Sequence, residues 1–446
     1  MPQRSRWSDR PSPHAEHNRL VRSLGQKLAQ TETAAPHELE ALRAPLVADF
    51  LAHARRNVPF YKDRLDFDAS SPATIAESWP QIPILTRAEA VSNRVRLMSE
   101  NVPPSAGQVV EKETSGSTGM PLRYRSTRTF EVANCALTER MFRWWRVDGK
   151  KPFAQIARTT LATARVPEGT VAHGWHTGRP AGIKYSLAHI FDIDTQLKWL
   201  IARKPAYLST FPGIIKELAI TARRRSVDLK FDLVFSVAAI LDAEARDLCR
   251  SVFGAEIADT YGAQEAGHLA AECPDCHAYH LSADATVIEI LRDDGSAAGP
   301  GEIGRIVVTP LHNHAMPLIR YELGDFAEVG AAQCERRLPS VRRILGRYRN
   351  LFRFRDGTRL WPVASAFFLG DYVAHKQFQI VQTDFEHVEI RYVPEAAAAP
   401  VDLPGLTERV RLVLRQPVEV TVQAVEKIER AASGKFEDCI SLVPTA

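Results

Sequence analysis

Hydrophobic and polar positions alternate along most of the chain with two different periods, which predicts a mixed α/β protein. Between residue 38 and about residue 345, helix-like stretches such as "ELEALRAPLVADFLAHARR" and "QLKWLIARKP" are interspersed with short apolar runs such as "FDLVFSV" and "GRIVVTPL". Apolar residues spaced three and four apart predict one buried helix face, and short apolar runs between turn residues predict strands. Regular alternation of the two indicates an α/β body.

The pattern changes at both ends of this body. After "GRYRNLFRFRDGTRLWP", the stretches "KQFQIVQTD", "HVEIRYVP" and "VEVTVQAVEKI" predict strands and "LTERVRLVL" predicts a helix, which is typical of a small α+β domain. Residues 1–35 are rich in Arg, Ser, Pro and His and contain one helix-like stretch, "LVRSLGQKLA", so we expect a loosely ordered lead-in. The predicted divisions are the lead-in 1–35, the body 36–349 and the C-terminal domain 350–446.

The composition narrows the class of protein. With 446 residues, of which 45% are hydrophobic and 25% charged, the chain can bury a large core. The formal net charge of +4 is small and the arginines are scattered, which argues against a nucleic-acid surface. No run approaches about eighteen apolar residues and the N-terminus lacks an apolar h-region, so we expect neither a membrane span nor a signal peptide. A cytoplasmic protein with small-molecule partners is expected.

The stretch "ETSGSTGMPL" has the composition of a phosphate-binding loop. Its hydroxyl and glycine residues are Thr114, Ser115, Gly116, Ser117, Thr118 and Gly119. The glycines give a backbone that can direct N–H and O–H donors at one anion. The flanking "GQVVEKE" and "PLRYRS" are strand-like, which argues against a passive Gly/Ser linker. Because no lysine follows the second glycine, this is not the P-loop of GxxxxGK[ST].

Three further motifs carry side chains that suit a bound nucleotide. In "DTYGAQEAG", Tyr261 offers an aromatic face, Gly262 permits close approach, and Glu265 can hold Mg²⁺ beside a triphosphate. In "LIRYELGDFAEV", Asp325 can accept hydrogen bonds from both hydroxyls of a ribose. In "ERAASGKFEDCIS", Lys435 can bring a positive charge to a carboxylate and a phosphate. Each motif alone is also typical of an ordinary surface loop or turn.

Taken in chain order, "TSGSTGMP", "YGAQE", "RYELGD", "GRYRN" and "SGK" resemble the motif series of the adenylate-forming superfamily of acyl-CoA and aryl-CoA ligases. Within that superfamily, "FLAHARRNVPFYKDRL" and "PILTRAE" resemble the phenylacetate–CoA ligase branch and its capsular-polysaccharide-biosynthesis-type relatives. The resemblance implies a large α/β adenylation domain of several subdomains and a small α+β C-terminal lid. It also places a hinge for the lid at Asn350, where the family usually has aspartate.

The resemblance implies a two-step reaction. A carboxylate and ATP first give an acyl-adenylate and pyrophosphate, and a nucleophile, usually coenzyme A, then displaces AMP. The expected enzyme is an AMP-forming ligase that joins an aryl or other compact acid to coenzyme A. An adenylating enzyme that passes the acyl group to an amine or a carrier protein is the alternative, and an inactive zinc-containing binding protein is a remote one. Dimers are common in this branch, and the resemblance leaves a homodimer open.

The resemblance also assigns a role to each motif by position. The loop 114–119 binds the pyrophosphoryl end of ATP, and Glu265 holds Mg²⁺. Asp325 binds the ribose and Arg347 helps to fix the nucleotide. Lys435, on the lid, bridges the acyl carboxylate and the α-phosphate during adenylation. In physical terms, a cation and a metal there would oppose the repulsion between the two reacting anions.

The stretch "AAECPDCHAYHL" has the spacing of a metal site. Cys273, Cys276 and His280 form CxxCxxxH, which is one ligand short of a closed tetrahedral zinc site. Cys334 in "GAAQCERRLP" can supply the fourth ligand, and zinc-containing members of this branch carry a similar C…C…H…C series. His277 is the rival third ligand, although its position directly after Cys276 makes chelation of the same metal awkward. Four ligands favour a structural zinc that ties two loops of the nucleotide site together.

Overall fold

The computed structural model describes residues 13–66, 71–114, 121–159, 164, 166–176, 182–331, 334–347, 350–362, 367, 369–395, 400–428 and 437–443. The helices in this part of the chain are α1 (Pro13–Thr31), α2 (Pro36–Asn57), α3 (Pro72–Ser78), α4 (Arg87–Ser92), α5 (Arg128–Trp144), α6 (Ile193–Arg203), α7 (Pro212–Arg224), α8 (Ala243–Leu248) and α9 (Leu403–Leu414).

The strands of the body are β1 (Val109–Glu113), β2 (Arg123–Thr127), β3 (Phe153–Ala157), β4 (Thr170–His173), β5 (Ile183–Ala188), β6 (Tyr207–Thr210), β7 (Leu233–Ser236), β8 (Glu256–Ala263), β9 (Gly267–Glu272), β10 (Tyr279–Leu281), β11 (Thr286–Leu291), β12 (Ile303–Pro310), β13 (Tyr321–Val329) and β14 (Ser340–Arg347). The remaining strands are β15 (Phe352–Arg353), β16 (Arg359–Leu360), β17 (His375–Gln382), β18 (His387–Pro394), β19 (Glu419–Ala424) and β20 (Cys439–Ser441).

One large sheet organises the body. Within the described residues it has 12 strands, in the order β11-β12-β13-β14-β10-β9-β8-β7-β6-β3-β5-β4. Strands β5, β3, β6, β7 and β8 pair in parallel, whereas the pairings from β8 through β9, β10, β14, β13 and β12 to β11 are antiparallel. Strand β8 therefore belongs to both halves, and its C-terminal end lies where the parallel half meets the antiparallel half.

Both faces of the parallel half are covered. Every residue of β6 and β7 is buried, as expected for parallel strands between two layers. On one face, Leu200 of α6 and Leu218 of α7 pack with Val234 of β7. On the other face, Phe235 of β7 joins Phe142 of α5 in the main hydrophobic core. The helix-period stretches of the sequence thus cover the faces of the sheet, as their apolar spacing predicts.

The N-terminal segment is more ordered than the sequence pattern suggests. Residues Pro13–Thr31 form a 19-residue helix, of which the predicted "LVRSLGQKLA" stretch is only a part. Val21 and Leu28 of this helix are buried against Leu137 of α5. The expectation of a loosely ordered lead-in therefore does not hold for this part of residues 1–35. The stabilising surface lies on α5, more than one hundred residues away in sequence, so no local pattern could reveal it.

The C-terminal domain has its own sheet and core. In the described part of this domain, four strands of the sheet lie in the order β19-β18-β17-β20, with β17 and β18 antiparallel and the two outer pairings parallel. Helix α9 buries Leu406, Val410 and Leu414, which follow one another at intervals of four residues. They pack against Ile380 of β17 and Ile390 of β18. The predictions of an α/β fold and a small α+β C-terminal domain are confirmed. Within the described residues, no helix combines the length and apolarity needed to cross a membrane.

Candidate active site

Thr114 closes the base of the loop that the sequence marks for phosphate binding. It follows β1 directly, and its N–H donates to the carbonyl of Leu122 at 3.0 Å. The N–H of Leu122 donates in return to Oγ1 of Thr114 at 2.9 Å. The β1–β2 hairpin therefore holds the two ends of the loop together. The other predicted phosphate-binding residues, Ser115, Gly116, Ser117, Thr118 and Gly119, lie outside the described residues.

Glu265 lies in the short turn between β8 and β9, at the junction of the two halves of the sheet. It is 5% exposed. Its Oε1 accepts hydrogen bonds from Nη1 of Arg87 at 2.9 Å and from the hydroxyl of Tyr321 at 3.2 Å. Burial, followed by the charge of Glu265, raises the pKa of Tyr321, which therefore remains a donor. Because its ligand atoms are carboxylate oxygens, Glu265 fits the ligand preference of Mg²⁺.

Arg87 connects Glu265 to the phosphate-binding loop. Its Nη1 donates to Glu265, and its Nη2 donates to Oγ1 of Thr114 at 2.8 Å. Sequence reasoning missed this residue, because "PILTRAE" served only as a marker of the branch. The available local signal was the capping box formed by Thr86 and Glu89, which predicts the start of α4 at Arg87. Nothing in that signal indicates that Arg87 reaches Thr114 and Glu265.

Tyr261, Asp325 and Arg347 form a second cluster next to this one. The hydroxyl of Tyr261 donates to Oδ2 of Asp325 at 2.9 Å. Nε of Arg347 lies 3.6 Å from Oδ1 of Asp325, and the two residues are directly opposite one another on β13 and β14. Burial, followed by the charge of Asp325, raises the pKa of Tyr261 well above its ordinary value. The three predicted nucleotide-binding residues are thus brought together.

Gly262 has a structural explanation in the pairing of β8 with β9. A Cβ at this position would lie 2.5 Å from the carbonyl oxygen of Gly267, which is a main-chain clash. The motif "DTYGAQEAG" instead predicts that Gly262 permits the close approach of a ligand. In the described structure the close approach is made by the neighbouring strand, so the need for glycine follows from the sheet itself.

Asn350 joins the body to the C-terminal domain. Its Oδ1 accepts a hydrogen bond from the N–H of Arg347 at 3.1 Å, at the end of β14. Its Nδ2 donates to the carbonyl of Cys439 at 2.7 Å, at the start of β20. One side chain therefore holds both sides of the predicted hinge. Lys435, the residue expected to act on the acid, lies outside the described residues.

A cavity of about 1060 Å³ adjoins the phosphate-binding loop. Thr114 lines it on the side of the β1–β2 hairpin, and Gln264, next to Glu265, lines it on the side of the β8–β9 turn. The aromatic residues Tyr124 and Phe130 and the exposed Arg158 also line it. Glutamates of β1 and α5 line it too, so the cavity offers apolar surface together with charges of both signs close to the two clusters described above.

The four predicted zinc ligands converge. The ligand atoms of Cys273, Cys276, His280 and Cys334 all lie within 4.8 Å of one another. The Sγ atoms of Cys273 and Cys334 are 3.8 Å apart, and Sγ of Cys276 is 3.6 Å from Nε2 of His280. Zinc–sulfur bonds of about 2.3 Å and zinc–nitrogen bonds of about 2.0 Å at tetrahedral angles imply separations of about 3.8 Å and about 3.5 Å. The donor set and its spacing therefore fit tetrahedral zinc.

The surroundings of the cluster favour His280 over His277 as the third ligand. Nδ1 of His280 lies 3.0 Å from the carbonyl of Leu338, a hydrogen bond that leaves the Nε2 lone pair for a metal. The side chain of His277 is 72% exposed, and its Nδ1 lies 3.7 Å from Oε1 of Glu272. His277 is thus directed away from the three cysteines, in agreement with the order predicted from spacing.

Arg336 provides a positive charge beside the same cluster and was also missed from sequence. Its Nη1 lies 3.2 Å from Sγ of Cys273 and 3.9 Å from Sγ of Cys334, and it pairs with the carboxylate of Asp275. A site of three thiolates and a neutral imidazole carries a net negative charge with Zn²⁺, which a guanidinium at this distance would offset.

The comparisons with known proteins agree with this geometry. No family model matches the chain. A curated relative is the phenylacetate–coenzyme A ligase of Thermus thermophilus, which is 23% identical over 364 residues and covers 75% of each chain. The anthranilate CoA ligase AuaEII in complex with anthranoyl-AMP has a similar fold, with a TM-score of 0.55, 14% identity and coverage of 88% of this chain and 79% of that chain.

A 2-hydroxyisobutyryl-CoA ligase has a similar fold over almost the whole length. In its postadenylation state the TM-score is 0.72, with 17% identity and coverage of 93% of this chain and 91% of that chain. The score is 0.62 for its open conformation and 0.58 for its thioesterification state. The chain therefore shares the fold of these ligases over most of its length, and it is similar in sequence to a phenylacetate–coenzyme A ligase.

Proposed function

We propose that this protein activates a carboxylic acid with ATP and then joins it to coenzyme A. The observation that carries the proposal is the convergence of motifs from distant parts of the chain. Arg87 connects Thr114 to Glu265 in the β8–β9 turn. Tyr261, on β8, contacts Asp325, which in turn lies beside Arg347. Among them, Thr114, Glu265 and Asp325 are the side chains that the motif series assigns to the phosphates, the metal and the ribose of one nucleotide.

The first half-reaction requires two anions to meet. A carboxylate oxygen attacks the α-phosphate of ATP, which forms the acyl-adenylate and releases pyrophosphate. Lys435 would supply a positive charge to both groups, and Arg87 supplies one beside the loop that binds the departing phosphates. Glu265 would hold Mg²⁺, which when bound offsets the negative charge of the phosphates. Each such contact in a water-poor site typically contributes a few kcal/mol.

The ribose would be held by the carboxylate of Asp325. Its two oxygens are oriented by Tyr261 and Arg347, so a ribose that binds there meets a rigid acceptor rather than a mobile side chain. Arg347 would also donate hydrogen bonds to the nucleotide, because its guanidinium carries several N–H donors. This arrangement supports nucleotide-binding roles for all three residues.

The C-terminal domain would act as a lid that turns at Asn350. The domains proposed are the body 36–349 and the lid 350–446. For the 2-hydroxyisobutyryl-CoA ligase, the TM-score with this chain is 0.72 in the postadenylation state and 0.58 in the thioesterification state. We therefore infer that the orientation described here corresponds to the first half-reaction. Coenzyme A would act after the lid has turned.

Zinc would be structural. Cys273, Cys276, His280 and Cys334 would hold it, which leaves no open position for a reactant. The site joins the segment after Glu265 to the loop after β13, so it would brace the turn that carries Glu265. A cytoplasmic enzyme is proposed, since ATP and coenzyme A are its substrates and the three thiolates need a reducing compartment.

An acid-dependent ATP–pyrophosphate exchange assay tests the first step. Aryl acids and other compact acids should support exchange, and acids too long for the cavity should not. Addition of coenzyme A should then release AMP and form a thioester in equal amounts. Adenylation of an acid would be contradicted if exchange occurred without any acid, or if no acid of a broad panel supported exchange. Exchange followed by transfer to added amines but never to coenzyme A would favour the amide-forming alternative.

A further inference from the structure

A narrow cleft lies between the body and the C-terminal domain. Phe211, Lys216, Ile240 and Asp242 of the body line it, and Asp438 of the C-terminal domain completes it. Asp438 directly precedes β20, whose first carbonyl accepts the hydrogen bond from Asn350. The cleft is therefore a contact between the two domains beside the strand to which Asn350 is hydrogen-bonded.

Lys216 is the positive charge of this cleft. It lies on α7, its side chain is 14% exposed, and its Nζ is 3.0 Å from Oδ2 of Asp242 and 2.9 Å from Oε2 of Glu244. Burial lowers the pKa of Lys216, but the charges of Asp438, Asp242 and Glu244 outweigh burial and raise it above its ordinary value. The ammonium group thus interacts with acids of both domains at once.

Asp242, the acid that lines the cleft on the body side, cannot move away easily. Asp242 caps the N-terminus of α8, where its Oδ1 accepts a hydrogen bond from the N–H of Ala245 at 2.9 Å. Without Lys216, Asp242 would face Asp438 as a like charge in a poorly solvated cleft, which is unfavourable. Lys216 therefore decides whether Asp438 is attracted to the body or repelled by it.

We infer that Lys216 is a positioning residue that docks the C-terminal domain, through Asp438, in the orientation of the first half-reaction. This inference rests on the proposed two-step function. Lys435 precedes Asp438 by three residues, and three residues of chain span at most about 11 Å. Docking of Asp438 therefore limits how far Lys435 can move from the body. The cleft also borders the nucleotide cluster, because Ile240 packs against Gly346, the neighbour of Arg347.

Docking of this kind affects the two half-reactions differently. Rotation of the lid about Asn350 for thioester formation would withdraw Asp438 from the cleft, so Lys216 would then contact only Asp242 and Glu244. A substitution that weakens docking should slow adenylation and leave the second half-reaction intact. A purely structural role for Lys216 in packing α7 against α8 would slow both.

The test measures both half-reactions in the full-length enzyme. Adenylation is followed by acid-dependent pyrophosphate exchange, and the second step by thioester formation from coenzyme A and chemically prepared acyl-adenylate. Lys216→Met should lower exchange at least about tenfold, as expected for removing one partner of a desolvated charge pair, and leave thioester formation unchanged. Lys216→Arg, which keeps the charge, should retain exchange.

Two further variants separate docking from other effects. Adding Asp438→Asn to Lys216→Met should recover part of the exchange, because it removes the repulsion across the cleft. Lys151→Met, which breaks an exposed ion pair with Asp232 inside the body, should change neither step. Unchanged exchange in Lys216→Met, equal losses in both steps, or no recovery in the double variant would overturn the inference. Absence of acid-dependent exchange in the wild type would instead contradict the proposed function itself.

Discussion

Arg87 and Glu265 are 178 residues apart in the chain and form a buried ion pair, with Nη1 of Arg87 2.9 Å from Oε1 of Glu265. Their side chains are only 19% and 6% exposed. A carboxylate in this environment needs a compensating charge, because desolvation of an unpaired ion is costly. Arg87 meets that need and, through Thr114, connects the carboxylate to the loop that would bind phosphates.

Replacement of Arg87 by methionine should destabilise the fold. It leaves Glu265 buried without its cation, so we expect a loss of about 3 kcal/mol in the free energy of unfolding, measured with urea in the absence of nucleotide and metal. Adding Glu265→Gln should restore most of the loss, because no buried charge remains. A double variant as unstable as Arg87→Met alone would show that the pair contributes through packing rather than charge.

Lys435→Ala should abolish acid-dependent pyrophosphate exchange. Loss of one charged group that stabilises the developing phosphate charge typically reduces the rate about 10²- to 10³-fold. The matched control is Lys376→Ala, which removes an exposed lysine from the same domain and should leave exchange unchanged. If Lys435→Ala exchanges pyrophosphate as fast as wild type, the role assigned to this lysine is wrong.

The purified protein should contain one zinc ion per chain. Elemental analysis should find it in wild type and find much less in Cys334→Ser, because tetrahedral structural zinc needs all four ligands. Removal of the metal by a chelator should lower the melting temperature, since the binding free energy is then lost to the fold. Cys135→Ser, on α5 and outside the cluster, should retain the metal. The site would be ruled out if the wild-type protein contained no zinc and its melting temperature did not change when a chelator was added.

Asp259 should make stability depend on pH. Burial raises its pKa from 3.8 to about 6, although the hydroxyl of Tyr279 donates to Oδ2 at 2.6 Å. The folded state therefore prefers the protonated acid, and the stability that this carboxyl contributes at low pH is lost as the pH rises from about 4 to about 6. At about 1.4 kcal/mol per pKa unit, the loss is at most about 3 kcal/mol.

Asp259→Asn should remove this dependence. Asparagine cannot ionise, and its side-chain oxygen can still accept the hydrogen bond from Tyr279. In urea unfolding the variant should be more stable than wild type at pH 8 and should lose that advantage as the pH falls toward 4. An equal difference at pH 5 and pH 8 would show that ionisation of Asp259 is not the cause.

Some of the candidate site is readable from sequence because its signals are local. Tyr261 and Asp325 stand out by residue type within short glycine-containing motifs, and the structure brings them to 2.9 Å. Cys273, Cys276 and His280 stand out by spacing alone, since ligands three and four residues apart can reach one metal. Chemistry that depends on neighbours in the chain leaves a pattern in the chain.

The residues that sequence reasoning missed act across long separations. Arg87 reaches Glu265, Arg336 reaches Cys273, and Lys216 faces Asp438 from another domain. An isolated arginine or lysine is most often a solvated surface residue, so its local sequence carries no signal of a partner. The ordering of α1 was missed for the same reason, because its buried face packs on α5.

The α/β class, the small C-terminal domain and the order of the nucleotide motifs can be predicted from the chain alone, because periodicity and motif spacing depend on neighbouring residues. Which charges meet depends on the folded arrangement of distant segments. The order of strands in the sheet, and the burial that it creates, determine whether Glu265 is paired and which histidine completes the cluster of thiols. They also determine where the C-terminal domain contacts the body. Those electrostatic contacts acquire their strength from exclusion of water, a property of the folded chain and not of any segment of it.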